Sequence, residues 1–571
     1  MHPDTAKNAS ALPSFSNPPI LGRKANLRHL EVLTLCLLIL TGFNTETSGA
    51  EDFCPPLASP TGAIMDVDSE EGIRDAVNSA PSGTTIAVAD GTYHLGQNGY
   101  YLWMDTPGVT LRSASGDRDK VIFDDNYSGS EMITVAASNI TIAEISLKRA
   151  GTHPIHVVST DSGDVLNTLI YRARIIDPGQ QAIKINPHSA KIHFPDDGVV
   201  ACCTMELTDE GRAKVWEING SCYTGGVDGH QSRGWVVRDN TIEGFWCHRG
   251  LSEHGVHFWT GSRDTLVERN LLMNNARGIG FGLTETGSGR TYSDGPCPDA
   301  VGFVGHYDGM IRNNFIFADS ENLFDSEYGA DGGIALAQAC GARVLHNTIA
   351  FIQAPFAAIE WRFSNTSAII TNNLVSHNLM DRGGSSELSG NLSNQPLALF
   401  VDTAHGNLHL KSTSLAAINQ GAEVSAGLCD EDIDGETRPA GTSRDVGADE
   451  YSEGSANSAP MANNQSITVE TNSTAYAITL SGSDPDQDVL TFAITIQPAN
   501  GHLEGIGPDV SYTPDRDFTG SDTFRFRVND GALDSSEATV SIMVRETDSS
   551  TGAGGGGGCF IHSIGRVRKI L

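Results

Sequence analysis

A short fragment in which apolar residues alternate with polar or small ones recurs through the middle of the chain. Its copies are GVDGH, GVHFW, GIGFG, GIALA and AIEWR, with AIKIN as an earlier relative. Successive side chains of a β-strand point to opposite faces, so the second and fourth positions of each copy face the same way. Almost all of these positions are apolar: Val227, Val256, Ile279, Ile334, Ile359 and Ile183, then Gly229, Phe258, Phe281, Leu336, Trp361 and Ile185. The alternation predicts stacked parallel strands with this column in the interior.

An asparagine marks a second repeated fragment, which reads VVRDNTI, LVERNLL, MIRNNFI, VLHNTIA and IITNNLV. The asparagines are Asn240, Asn270, Asn314, Asn347 and Asn373, separated by 30, 44, 33 and 26 residues. A constant fragment at irregular spacing is typical of a solenoid in which loops of different length connect the strands of successive rungs. Buried amides in such a stack can bond to the copies above and below. We therefore predict a parallel β-helix in which Asn270, Asn314 and Asn347 stack at one corner, while Ile279, Ile334 and Ile359 stack inside.

The pattern divides the chain into domains. The β-helix is expected over residues 51–451, with the helical pattern from Gly72 to Ala80 capping its open first rung. Residues 459–546 carry short alternating strands separated by glycine and proline turns, which predict a small β-sandwich. Residues 452–458 form the linker and residues 547–571 a glycine-rich tail. The predicted fold is all-β: a solenoid followed by a sandwich.

The N-terminus reads as an export signal. Arg23, Lys24 and Arg28 precede the apolar run VLTLCLLIL, and small residues follow up to Ala50. This order is typical of a secretory signal peptide, here residues 1–50, and the run is too short to span a bilayer. We expect a secreted or cell-surface protein with no transmembrane helix in the mature chain.

Eight cysteines remain when Cys36 of the signal and Cys559 of the tail are set aside. An even number in an exported chain favours disulfides, and the absence of a CxxC pair gives little support to structural zinc. The pairing stays open. The eight are Cys54, Cys202, Cys203, Cys222, Cys247, Cys297, Cys340 and Cys429.

The net charge of the chain limits the classes of partner that it can bind. With 70 acidic against 37 basic residues the net charge is −33. This argues against nucleic acid as a partner, because few groups could neutralise a phosphate backbone. An acidic polysaccharide would also be repelled unless a bound cation offset the field.

The outward positions of the repeat carry the candidate chemistry. One outward column is Asp228, His257, Gly280, Ala335 and Glu360, and the next is His230, Trp259, Gly282, Ala337 and Arg362. Lys184 and Asn186 extend both columns, unless the stretch before Gly226 hides another rung. Two neighbouring rungs carry only small outward residues, Gly280 and Gly282 on one and Ala335 and Ala337 on the other. Rungs lie about 4.8 Å apart, so these two predict a trough about two rungs wide. We expect Trp259 to be exposed beside it, and a bulky residue at Gly282 to fill the trough at little cost in stability.

A trough with acids, imidazoles and an aromatic ring suits a sugar chain, since the ring stacks on pyranose and the ionisable groups transfer protons. The alternatives are a divalent metal bound by the three histidines and two carboxylates among Asp228, His230, Glu253, His254 and His257, or plain hydrogen bonding on a solvated face. The inserted loop TETGSGRTYSDGPCPDAVGFVGHYDG leaves the solenoid after the fragment GIGFG, so we expect its side chains near the trough. The catalytic candidates are Asp228, His230, Glu253, His254 and His257, and the substrate-binding candidates are Trp259, Gly280, Gly282, His306, Asp308, Glu360 and Arg362.

The capped start and the asparagine-marked rungs resemble the pectin-lyase-like, right-handed parallel β-helix superfamily from about Glu51 to Gln420. The resemblance implies extracellular work on polysaccharides by lyases, hydrolases or epimerases. The aspartate and arginine set of pectate lyases, the paired aspartates of polygalacturonases and the Asp-Pro-His-Asp motif of mannuronan epimerases do not occur, so no catalytic residue transfers. Two hypotheses stand: a polysaccharide lyase or glycoside hydrolase, and a non-catalytic surface adhesin or structural protein.

Two C-terminal segments also resemble bacterial surface proteins. CDEDIDGETRPAGTSRDVGADEY is similar to an element that ends bacterial surface β-helices, and residues 459–546 resemble cadherin-like, immunoglobulin-type modules. The tail resembles a bacterial sorting signal without its apolar span. Carboxylates in the sandwich offer the oxygen ligands that Ca²⁺ prefers, or else they only shape turns. These are Asp484, Asp486, Asp488 and Asp530.

Overall fold

A computed structural model describes residues 53–96, 100–403, 406–452, 460–484, 490–530 and 533–546. The predicted signal peptide, most of the predicted linker and the tail lie outside the described residues. Among the helices of the described ranges, none is long and apolar enough to cross a membrane.

Three parallel sheets run along the solenoid, and each turn of the chain contributes one strand to each sheet. The site sheet contains ten strands: Leu102–Met104, Ile133–Val135, Ile155–Val158, Gln181–Asn186, Gly225–His230, Val256–Trp259, Arg277–Phe281, Gly332–Ala337, Ala357–Arg362 and Leu379–Arg382. A second ten-stranded sheet contains Gly91–Tyr93, Val121–Asp124, Ser146–Lys148, Arg174–Ile176, Thr204–Glu206, Thr241–Glu243, Leu271–Met273, Phe315–Ala318, Thr348–Phe351 and Leu374–Val375.

The third sheet has fourteen strands because two short strands, Ser262–Arg263 and His306–Tyr307, join it beside the insert and one further strand extends it at each end. The fourteen strands are Ile64–Val67, Thr85–Val88, Thr110–Ser113, Thr141–Ala143, Leu169–Tyr171, Val199–Ala201, Val236–Arg238, Ser262–Arg263, Leu266–Glu268, His306–Tyr307, Met310–Arg312, Ala339–Leu345, Ser367–Thr371 and Ser385–Ser389. A separate parallel pair joins Val165–Leu166 to Pro195–Asp196.

The predicted interior column is confirmed. Ile279 pairs with Val256 on one side and Ile334 on the other, and Ile334 pairs with Ile359. Each of these side chains is at most 1% exposed. Burial of an aliphatic side chain stabilises a fold by about 1.5–3 kcal/mol, so the column holds the rungs in register.

The predicted asparagine ladder is also confirmed. The side-chain Nδ2 of Asn270 donates to Oδ1 of Asn314 at 2.9 Å, and Asn314 donates in the same way to Asn347 at 2.9 Å. Asn240 and Asn373 extend the ladder, and Asn391 adds a sixth member that the repeat did not reveal. The amides therefore bind one another and the backbone at one corner of the solenoid.

Helices cover the start and fill one connection. Helix α1, Glu70–Ser79, begins at Ser69, whose hydroxyl accepts from the main-chain N–H of Gly72, and it buries Ile73, Ala76 and Val77 against the first rungs. Helix α2, Asp209–Asn219, lies between the strands Gln181–Asn186 and Gly225–His230, which pair directly. The alternative of a hidden rung in this stretch is therefore wrong. Helix α3, Glu321–Phe324, is a single turn.

An irregular segment, residues 391–403 and 406–452, follows the last rungs and packs against the outer face of the second sheet. It contains the 3-10 turn Leu397–Leu399 and the antiparallel pair Phe400–Asp402 and Asn407–Leu410. Its apolar side chains pack with Phe315 and Phe317 of the second sheet. A buried ion pair joins Arg438 to Glu450 at 2.8 Å.

The C-terminal sandwich forms as predicted. One sheet contains Gln465–Glu470, Ala538–Arg545, Gly520–Asn529 and Thr491–Ile496, the other Tyr476–Thr479, Asp509–Pro514 and Gly501–Ile506, and a short pair joins Met461–Ala462 to Gly482–Ser483. Tyr512, Phe524 and Phe526 lie in its core. Buried Asp522 accepts hydrogen bonds from the Tyr512 hydroxyl at 2.9 Å and from the main-chain N–H groups of Ala499 and Asn500 at 3.0 and 2.9 Å.

Three disulfides form among the eight cysteines: Cys54–Cys202, Cys222–Cys247 and Cys297–Cys340. Cys203 and Cys429 are buried free thiols. The bridge between Cys222 and Cys247 connects the turn before the strand Gly225–His230 to the loop before the strand Val256–Trp259.

Candidate functional site

The outward column of the site sheet runs as the alternation predicts. Asp228, His257, Gly280, Ala335 and Glu360 are paired in this order on neighbouring strands. On the N-terminal side the same column continues through Lys184, His156, Thr134 and Trp103. We call the residues from Trp103 to Glu360 the outward column.

A buried ion pair occupies the middle of the outward column. Lys184 is 4% exposed and Asp228 is 2% exposed, and Nζ of Lys184 contacts Oδ2 of Asp228. The ammonium also donates to the Tyr223 hydroxyl at 3.2 Å and to Nε2 of His230 at 3.0 Å. These contacts use all three N–H groups of the lysine.

The pair keeps both partners charged. Burial alone would lower the pKa of Lys184, but the charge of Asp228 raises that pKa above its ordinary value. Burial would likewise raise the pKa of Asp228, and the Lys184 ammonium holds that pKa well below its ordinary value. An ammonium and a carboxylate therefore face each other beneath the surface of the site sheet.

His230 and Trp259 cover this pair. The indole N–H of Trp259 donates to Oδ1 of Asp228 and lies at the same distance, 3.0 Å, from Nε2 of His230. Nε2 of His230 also lies 3.3 Å from Oδ2 of Asp228, so this ring nitrogen faces two donors and one acceptor. Burial lowers the pKa of His230, which favours the neutral imidazole.

Trp259 points outward as the alternation predicts, but its ring is not fully exposed. The side chain is half-buried, because one edge is tied to Asp228 and the ring stacks on His257 with centroids 5.2 Å apart. It offers only part of its surface to a ligand.

Glu253, His254 and His257 converge next to Asp228. Their ligand atoms lie within 4.8 Å of one another. His254 and His257 are buried, whereas Glu253 is half-buried. This cluster has the composition of a metal site.

The predicted trough is filled. The imidazole of His254 lies over Gly280, where an added Cβ would come within 2.6 Å of Nε2. Gly282 has a φ of +73°, and a Cβ there would lie 1.8 Å from the carbonyl oxygen of Ala337. The expectation that a bulky residue at Gly282 costs little stability is therefore wrong, since both the conformation and the space favour glycine.

Two predicted substrate-binding residues lie elsewhere. His306 is 1% exposed, stacks on interior Phe281 at 4.0 Å and contacts the Thr265 hydroxyl with Nε2 at 2.9 Å. It belongs to the core, so its predicted role at the surface is wrong. Asp308 lies in a turn of the third sheet, with one carboxylate oxygen 3.7 Å from Nη2 of Arg263, so its placement at the trough is wrong as well.

Glu360 and Arg362 lie at the far end of the outward column. Glu360 is buried, and its carboxylate contacts Nη1 of Arg382 at 2.7 Å and Nη1 of Arg362 at 3.7 Å. Arg362 also donates to the carbonyl oxygen of Leu283 at 2.9 Å. Both residues are held by protein partners at this end.

Exposed aromatic rings at the other end escaped the sequence analysis. Tyr100, Tyr101 and Trp103 are 60%, 41% and 37% exposed, and Trp103 begins the outward column. We call these three residues the aromatic platform. Their signal is the same alternation, because Leu102 and Met104 are buried on either side of Trp103. The strand Leu102–Met104 has only three residues, so it does not match the five-residue fragment that marks the later rungs.

The predicted calcium ligands are only partly described. Asp486 and Asp488 lie outside the described residues. Oδ1 of Asp530 accepts from the main-chain N–H of Leu533 at 2.6 Å, which shapes a turn. Calcium binding at Asp484, Asp486, Asp488 and Asp530 stays a prediction. A second convergent group, His409, Asp434 and Asp449, lies in the irregular segment that packs against the second sheet.

Several solved structures are similar to this chain at low identity. A pectate lyase, Pel9A, matches at 15% identity over 66% of this chain and 90% of its own, with a TM-score of 0.38. An alginate lyase from Paenibacillus sp. str. FPU-7 matches at 13% identity over 57% of this chain and 97% of its own, with a TM-score of 0.38. A polygalacturonase from Erwinia carotovora ssp. carotovora matches at 12% identity over 61% and 99%, with a TM-score of 0.32.

Likenesses of this size carry no argument about the reaction. No curated protein matches the chain. Residues 457–543 match the family described as Bacterial Ig domain. The chain thus joins a parallel β-helix to a bacterial immunoglobulin-type domain.

Proposed function

We propose that the outward column binds an extracellular polysaccharide and cleaves it by elimination. The observation that carries the proposal is the buried Lys184–Asp228 pair, which lies directly beneath half-exposed Tyr223, His230 and Trp259. A charged pair is costly to bury and is often found where a protein performs chemistry. The three residues above it offer a hydroxyl, an imidazole and an aromatic ring to a ligand.

The aromatic platform supplies the binding surface for the sugar chain. Trp103 lies three rungs from Lys184 along the outward column, which corresponds to about 14 Å at the ordinary strand spacing. A short oligosaccharide spans this distance. Exposed aromatic rings stack on the apolar faces of pyranoses, so a chain lying on Trp103 would reach Tyr223 and the ion pair.

Ionisation favours elimination over hydrolysis. A glycoside hydrolase needs one protonated carboxylic acid to donate to the leaving oxygen. Asp228 has a pKa well below its ordinary range, so its carboxyl is not poised to donate at neutral pH. Elimination from an acidic sugar needs positive charge near its carboxylate and a group that exchanges a proton. The Lys184 ammonium provides the charge. The neutral imidazole of His230 is the candidate to take the proton from the carbon beside the sugar carboxylate, and the Tyr223 hydroxyl is the candidate to donate a proton to the leaving oxygen.

The test is a depolymerisation screen on uronate-containing polysaccharides with the full chain. Elimination creates a conjugated double bond that absorbs ultraviolet light, whereas hydrolysis creates reducing ends without this absorbance. Tyr223→Phe and Lys184→Met should abolish the absorbance, while Tyr328→Phe, at an exposed tyrosine away from the outward column, should retain it. Reducing ends without absorbance would overturn elimination, and equal activity of Tyr223→Phe and parent would overturn the site.

One observation favours a non-catalytic binding protein as the second candidate. Both carboxylate oxygens of Asp228 and all three N–H groups of Lys184 are already engaged within the protein. In that case Trp103→Ala would weaken binding to a polysaccharide that the parent never shortens. Product formation by the parent would exclude this reading.

A further inference from the structure

We propose that Glu253, His254 and His257 bind a divalent transition metal ion, with zinc the best match to their donor atoms. The site lies in the loop before the strand Val256–Trp259 and at the start of that strand. Metal binding here does not depend on the proposed elimination, because it can be measured without any polysaccharide.

Three buried atoms of this cluster lack a hydrogen-bond partner among the described residues. They are Oε2 of Glu253, Nδ1 of His254 and Nδ1 of His257. His254 is 3% exposed and His257 is fully buried. Buried polar atoms are almost always paired, so three unpaired atoms within one cluster indicate a missing partner.

The tautomer of His257 shows what that partner must be. Nε2 of His257 lies 3.2 Å from the carbonyl oxygen of Gly282, which can only accept, so Nε2 carries a proton. In the neutral imidazole the lone pair of Nδ1 then faces Oε2 of Glu253 at 3.3 Å and Oδ1 of Asp228 at 3.6 Å. Acceptors that face one another repel, and a cation between them removes the repulsion.

A metal ion satisfies more of these atoms than a proton does. A proton on Nδ1 of His257 would pair that atom with Glu253 but would leave Nδ1 of His254 without a partner. A zinc ion with bonds of about 2.0–2.1 Å in tetrahedral geometry places its ligand atoms about 3.3 Å apart. The separation of 3.3 Å between His257 Nδ1 and Glu253 Oε2 fits this value.

The surroundings support the ligands. A metal-binding histidine commonly donates its second N–H to a carbonyl oxygen, as His257 does to Gly282. His254 can lie beside His257 because Gly280 has no side chain, and the disulfide Cys222–Cys247 anchors the loop that carries Glu253. Two imidazoles and one carboxylate suit zinc, iron or nickel, whereas Ca²⁺ prefers oxygen ligands alone.

The first measurement is the zinc content of the full chain without a polyhistidine tag, after removal of metal by a chelator and dialysis against zinc. The parent should retain about one equivalent of zinc, and Co²⁺ in its place should give the visible spectrum of a tetrahedral site. Glu253→Gln and His254→Gln should lose the metal, while His248→Gln, at an exposed histidine of the same loop, should retain it.

Gly280→Ala provides a test that removes no ligand. The added Cβ would displace the His254 ring, so zinc affinity should fall by about tenfold or more. The cobalt spectrum of the parent stands even if a variant fails to fold. The proposal is overturned if the parent holds no stoichiometric metal, or if zinc stays bound in both ligand variants. Metal binding without depolymerisation would leave this site standing and refute only the proposed elimination.

Discussion

Asn314 lies in the middle of the asparagine ladder, and its replacement by alanine tests whether the ladder stabilises the β-helix. Its Oδ1 accepts from the main-chain N–H of Asn270 at 3.0 Å and from Nδ2 of the same residue at 2.9 Å. Its Nδ2 donates to Asn347 and to the carbonyl oxygens of Val267 and Arg312. Asn314 is fully buried, so water cannot replace these partners.

Asn314→Ala should lower the free energy of unfolding of the β-helix by about 3 kcal/mol. The buried N–H of Asn270 loses its acceptor, which costs about 1–3 kcal/mol, and the other lost hydrogen bonds add about 1 kcal/mol. Nδ2 of Asn270 keeps the carbonyl oxygens of Val237 and Glu268, so no larger loss is expected. This is a large part of the roughly 5–15 kcal/mol that a domain has.

Urea unfolding followed by tryptophan fluorescence is the assay. The chain has six tryptophans and all of them lie in the β-helix, so the sandwich does not contribute to the signal. Asn322→Ala is the matched control, because Asn322 is exposed in α3 and should change stability by less than about 0.5 kcal/mol. A loss below about 1 kcal/mol for Asn314→Ala, or one equal to the control, would refute the structural role of the ladder.

Three further predictions follow from the described residues. Gly282→Ala should destabilise the β-helix by about 2–4 kcal/mol in the same urea assay, against about 1 kcal/mol for Gly295→Ala, which has a positive φ but open space around it. Asp522→Asn should destabilise the sandwich by about 1–3 kcal/mol. Burial would raise the pKa of Asp522, but hydrogen bonds from main-chain N–H groups hold that pKa below its ordinary value. The stability that the Asp522 carboxylate contributes is therefore present above the ordinary pKa of an aspartate and is lost as the pH falls through the pKa of the folded state. Thermal unfolding measured as a function of pH would show this loss. A thiol reagent should modify Cys203 and Cys429 only in denaturant, and mass spectrometry of their peptides would reveal earlier labelling.

The interior of the β-helix could be predicted because its determinants are local. Side chains alternate along every strand, so five-residue fragments identify the inward column without knowledge of the loops. The ladder follows from the same register, since a buried amide at one corner needs copies of itself above and below. Ile334 and Asn314 are therefore where the repeats place them.

The candidate site was harder to predict because its contacts depend on inserts and conformations that break the repeat. Lys184 and Asp228 are 44 residues apart, with α2 between them, and only the strand pairing makes them neighbours. The short strand His306–Tyr307 turns His306 inward, and the alternation does not apply there. The His254 ring covers Gly280 from an irregular loop, so the trough inferred from small residues does not exist.

The most direct test of the central claim is a crystal structure of Tyr223→Phe with a bound oligouronate that the parent cleaves. The account predicts electron density for the sugar along the outward column, with one pyranose stacked on Trp103 and another above the Lys184–Asp228 pair. Density on another face of the β-helix, or on the sandwich alone, would contradict it.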